Sequence, residues 1–282
     1  MKITQRNHTL NLRGASYDLT HDRQQPFHVK LRFDSGIGAD LFVASGCDRD
    51  DGIDELVSLE PPQVKESAER VTLTFVGKTT LWKRVEYVFT CEPERVAYGY
   101  RVHGKGQLEI ARFFEGFLQK DPRMDAAYYP YFCGPGRHLS HHRSAREFMQ
   151  SSTPGFDQVY AFGINSVDKR IFGYYEDVNI RVNGDRHYIG GDWLATPAPF
   201  LYLMGRKGLA NWVTLGLAVK TGEAGFMGYH YSGGEGFGLH LDYSGYTQVD
   251  GSWESPRIVM EQAGGDEYQA LDCYVAYLRQ NG

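Results

Sequence analysis

A chain of 282 residues is long enough to bury a real core, either as one large β-sandwich or as two modest domains. Its net charge of -5 at pH 7, with no dense Lys/Arg stripe, offers a polyanion no attractive field and argues against nucleic acid as a partner. Aromatic residues at 14% together with 33 glycines favour strands and turns over a helical bundle.

The opening residues Met1 to His8 lack the apolar core of a signal peptide, and no run of eighteen apolar residues follows, so a cytoplasmic chain with no membrane partner is expected. Cys47, Cys91, Cys133 and Cys273 lie far apart without a C-x-x-C pair, which fits reduced thiols. The sequon Asn7-His8-Thr9 is then a chance match.

Period-two alternation predicts strands in chain order. Val29, Leu31 and Phe33 begin it, followed by Val71, Leu73 and Phe75, then Val85, Tyr87 and Phe89, then Val96, Tyr98, Tyr100 and Val102. A turn at Cys91 to Arg95 joins the third and fourth, and Gly104-Lys105-Gly106 is expected to end the fourth before a further strand around Leu108 and Ile110. Val178, Ile180 and Val182 lead to an Asn183-Gly184 hairpin turn. Further strands are expected at Phe200 to Met204, Trp212 to Val219 and Phe237 to Tyr243. Helices between strands, which a parallel α/β fold requires, are not found. The expected fold is therefore all-β: a large antiparallel sandwich over residues 1–263, with a C-terminal linker helix over 264–282. Asp266 is the N-cap of that helix, Tyr268, Leu271, Val275 and Leu278 are its apolar stripe, and Gly282 is its cap position.

The segment Thr79 to Phe89, followed by Pro93-Glu94-Arg95-Val96 and Gly104-Lys105-Gly106, resembles the N-terminal β-supersandwich of retaining glycoside hydrolases, in the style of α-galactosidase and raffinose-synthase-like enzymes. The stretch Gly251 to Val259 matches the last strand of such a galactose-mutarotase-like sandwich. The helix after it matches the one that leads into a (β/α)8 barrel. The resemblance implies that the catalytic carboxylates lie on barrel strands beyond Gly282. No catalytic residue is then carried by this chain, and its partners would be carbohydrate and that barrel.

Sugar recognition needs a flat aromatic platform flanked by polar groups, because a pyranose offers an apolar C–H face and a rim of hydroxyls. Three stretches supply both beside glycine: Gly190-Gly191-Asp192-Trp193, Asp250 to Glu254, and Gly228 to Glu235. They nominate Asp192, Trp193, His230, Tyr231, Glu235, Trp253 and Glu254 as substrate-binding residues. Trp193 and Trp253 fit equally well as core or interface residues, the usual place of large aromatics.

No metal or cofactor is called for. His138, His141 and His142 lack the H-E-x-x-H arrangement and are flanked by arginines, so they read as a polar loop or a subunit contact. The acidic run Asp48 to Glu55 breaks calcium-loop spacing and reads as a solvated turn. Two other functions stay open beside the glycosidase domain. One is a mutarotase-type epimerase using His230 or His240 with Glu235 or Glu254. The other is a binding or assembly module that self-associates through aromatic loops.

Overall fold

The computed structural model describes residues 1–120, 129–132, 143–144, 175–176, 193–195, 201–205, 210–218, 226–232 and 236–281. The expected strand at Val178 to Val182, the Asn183-Gly184 turn and the histidines at 138, 141 and 142 lie outside these residues.

An antiparallel meander opens the chain: β1 (Lys2–Arg6), β2 (Thr9–Arg13), β3 (Tyr17–Asp22), β4 (His28–Phe33) and β5 (Ile37–Phe42). Alternation sets its buried face, with Tyr17, Leu19 and His21 inward while Asp18 is exposed. After the short β6 (Cys47–Arg49), the pieces β7 (Leu56–Leu59) and β8 (Gln63–Glu66) run along β9 (Val71–Thr79), separated by Pro61 and Pro62. Next come β10 (Arg84–Cys91) and the long β11 (Arg95–Lys120). The remaining strands are β12 (Tyr129–Phe132), β13 (Arg143–Ser144), β14 (Tyr175–Glu176), β15 (Trp193–Ala195), β16 (Leu201–Gly205), β17 (Val213–Ala218), β18 (Phe226–Ser232), β19 (Gly236–Glu254) and β20 (Arg257–Gln262). The helix α1 (Glu267–Asn281) follows.

Ladder neighbours define two walls that share β11. One wall runs from β1 through β5 to the end of β11 at Gly116–Lys120, then through β19 and β18 to β15. The other runs β9, β10, the start of β11, β20, β17 and β16. Every described ladder is antiparallel, so the architecture is the all-β supersandwich. Leu12, Leu19 and Leu31 of the first wall join Leu73, Phe75 and Phe89 of the second in one core, where His21 sits edge-on to Phe75 at 5.0 Å. Burying aromatic and aliphatic side chains of this size contributes roughly 1.5–3 kcal/mol each.

The structure corrects the sequence reading at β11. Gly104 does not end the strand; it pairs with Gly251 across the β11–β19 ladder, and both have positive φ, 152° and 102°. Two facing glycines let the ladder twist sharply and continue, which a side chain at either position would resist.

The helix also departs from the sequence reading on one point. Asp266 caps it as expected, its Oδ1 accepting the backbone N–H groups of Tyr268 and Gln269 at 3.1 Å each. The residues buried deepest, however, are Ala270, Tyr274 and Tyr277; of the expected stripe, Leu271 and Leu278 pack partly buried against the Trp212 cluster while Tyr268 is exposed. The Tyr274 hydroxyl donates to the Leu217 carbonyl at 2.5 Å, and its ring covers Gly216 so closely that a Cβ there would meet it at 2.3 Å. Among the described residues no helix is long and apolar enough to cross a membrane.

Candidate functional site

The nominated residues fall into two groups at opposite ends of the β11–β19 ladder. Trp193 pairs with Tyr229, while His230 and Tyr231 pair with Gly238 and Phe237, the last of these lying opposite Gly116 of β11. Trp253 and Glu254 instead pair with Val102 and Arg101 near the start of β11. Backbone register therefore brings Trp193, His230 and Tyr231 together on neighbouring strands and keeps Trp253 and Glu254 away from them. Asp192 and Glu235 lie outside the described residues.

At the near end, Trp253 is partly buried against the core, edge-on to Tyr100 at 6.0 Å and to Tyr243 at 5.5 Å. Glu254 is exposed and accepts from Arg101 at 3.3 Å and from Arg257 at 3.1 Å. Partial burial pushes its pKa upward, but the two guanidinium hydrogen bonds outweigh this and hold the carboxyl below its usual range. Just beyond it the strand crosses into β20 at Ser255-Pro256. There the Ser255 hydroxyl accepts the Tyr100 N–H at 2.9 Å and donates to the Pro256 carbonyl at 2.8 Å.

At the far end lies a cluster that the motifs did not reveal. Arg112 of β11 donates through Nη2 to Asp48 Oδ1 at 2.6 Å and to the Asp54 carbonyl at 3.1 Å. Asp48 Oδ1 also accepts the Asp54 N–H at 2.9 Å, and Asp54 Oδ1 accepts the Leu81 N–H at 3.1 Å. Asp48 and Asp54 are only 9% and 4% exposed, so the acidic run is not a solvated turn throughout; these two carboxylates turn inward while Asp50, Asp51 and Glu55 remain outside. Burial pushes the Asp54 carboxyl above its usual range. Gly46 makes the arrangement possible, because a Cβ there would lie 2.4 Å from Arg112 Nη2. Behind the cluster, the buried Trp82 donates its indole N–H to the Cys47 carbonyl at 2.6 Å. The available sequence signal was an arginine set directly between the apolar Ile110-Ala111 and Phe113, which needs a counter-charge where it is partly buried. His240 is the ladder partner of both Arg112 and Gly228, two residues along the ladder from the His230–Gly238 pair.

No family model matches the chain, and no curated protein matches it in sequence. Among solved structures it is similar to the α-N-acetylgalactosaminidase NagBb from Bifidobacterium bifidum in its GalNAc complex. The TM-score is 0.52 at 10% identity, over 96% of this chain and 39% of that one. A quadruple mutant of the same enzyme gives a TM-score of 0.54 at 10% identity, over 100% of this chain and 39% of that one. A GalM/aldose epimerase homologue from C. elegans is matched at a TM-score of 0.40 and 10% identity, over 90% of this chain and 98% of that one, too loosely to add to the fold assignment. At such identities the NagBb likeness is one of fold, and the chain spans 39% of that enzyme's length.

Proposed function

We propose that this chain is a non-catalytic β-supersandwich domain of a glycoside hydrolase acting on α-glycosides, bracing a catalytic barrel of the same polypeptide and helping to shape its sugar site. The observation that carries this reading is the superposition of nearly the whole chain on 39% of an α-N-acetylgalactosaminidase. Retaining glycosidases need two carboxylates about 5–5.5 Å apart and facing the scissile bond. Asp48 and Glu254 are instead engaged by arginines that tie strands together, which fits support. Trp193, His230 and Tyr231, with Asp192 and Glu235, would edge the sugar, the aromatics meeting its C–H face and the polar groups its hydroxyls. Trp253 and Glu254, at the other end of the ladder, would stiffen the side that supports the barrel.

A second reading, a mutarotase-type epimerase, is favoured by the register that sets His240 opposite the anchored Arg112 and beside the His230 pair. A histidine acid and a base such as Glu235 could open a pyranose ring there. The test is to assay the chain on aryl α-N-acetylgalactosaminides and α-galactosides and to follow galactose mutarotation by polarimetry. The domain reading expects neither activity. Mutarotation faster than the spontaneous rate transfers the case to the epimerase, and glycoside cleavage by this chain alone overturns the proposal.

A further inference from the structure

Helix α1 buries one apolar face fully and leaves the apolar margin beside it only partly covered. Ala270, Tyr274 and Tyr277 are buried on β17 and β20, whereas Tyr268 is 58% exposed and Leu271, Val275 and Leu278 are only partly buried. Leu271 and Leu278 lean on the Trp212 cluster with one edge. The spacing of these four residues, three, four and three, is that of alternating a and d positions, a narrow seam suited to receiving another helix. The residues that flank it name the occupant. Asp272 and Arg279 are exposed and lie one heptad apart, so they border the same side of the seam with opposite charges at its two ends.

We infer that this seam receives a second copy of the chain, the two helices packing antiparallel about a two-fold axis. In that arrangement Asp272 faces the partner's Arg279 and Arg279 faces the partner's Asp272. Between them, Val275 meets the partner's Leu278 and Leu278 meets the partner's Val275. An isologous contact of this kind is self-complementary by symmetry, and one helix supplies both halves of each charge pair. The inference is independent of the proposed function, since a dimer forms or fails whatever the sandwich supports.

The seam is short, so the dimer belongs to the weak class, with a dissociation constant on the order of 10–100 µM. Sedimentation velocity on the whole chain across that range tests it. Val275→Arg should abolish the dimer, and Asp272→Arg, which sets like charges opposite each other, should weaken it by roughly tenfold. Combining Asp272→Arg with Arg279→Asp should restore it, a recovery that loss of folding cannot mimic. A monomer throughout the range, or a dimer indifferent to these substitutions, overturns the inference and leaves the seam to a different polypeptide.

Discussion

Two of the three arginines on strand β11, Arg101 and Arg112, are each bonded to a carboxylate in surroundings of different depth, and the contrast between them shows how burial sets the worth of a charge. Arg101 meets Glu254 where the side chains are 45% and 37% exposed, whereas Arg112 meets Asp48 where they are 32% and 12% exposed. In the first cluster, solvent can replace a lost partner. In the second, Asp48 sits among backbone groups that depend on it, so removing the guanidinium leaves an uncompensated buried charge. One strand thus holds a rim pair of little energetic consequence, toward β19, and an inner pair that fixes β6 against β11.

The largest expected effect comes from Arg112→Met, which should lower stability by about 2–3 kcal/mol in urea unfolding, allowing for the partial exposure of the guanidinium. Adding Asp48→Asn should recover part of that loss; strict additivity would break the claim that the two act as a pair. Trp82→Phe removes the donor to the Cys47 carbonyl behind the cluster and should cost about 1–2 kcal/mol by the same measurement.

The two clusters should also respond to pH with opposite signs. Burial raises the Asp54 carboxyl, so its contribution to stability is full below its ordinary value of 3.8 and is lost as the pH rises through its folded value. The stability of the wild type relative to Asp54→Asn should therefore decline as the pH is raised from acid. Arginine pairing lowers Glu254, so its contribution is present above the ordinary value of 4.5 and is lost as the pH falls through its folded value. Glu254→Gln should be the mildest of the series, within about 0.5 kcal/mol at neutral pH. A larger loss would erase the distinction between the two clusters.

What was legible in the sequence was local. The alternations at Val71, Val85 and Val96 became the buried faces of β9, β10 and β11, because a period of two is a property of the strand itself. Asp266 was readable as a cap because its partners lie two and three residues away. Gly104 was misread as a stop because its meaning depends on Gly251, a residue remote in sequence. The helix stripe was legible as apolar, but the deeper contacts of Ala270, Tyr274 and Tyr277 were not, since spacing reports a face and not what covers it. The same limit hid Asp48 and Asp54, whose inward turn depends on Arg112. At the nominated substrate-binding residues, sequence offered aromatics beside glycine, and only register separated the group at Trp193 from the one at Trp253.

That separation bears most directly on the central claim, that recognition belongs to the β15–β18 end of the sandwich and support to the other. Mono- and oligosaccharides titrated against the chain, with binding followed by NMR, should be held as tightly by Trp253→Phe as by the wild type and should lose affinity in Trp193→Phe. Retained affinity in Trp193→Phe together with loss in Trp253→Phe would contradict the account.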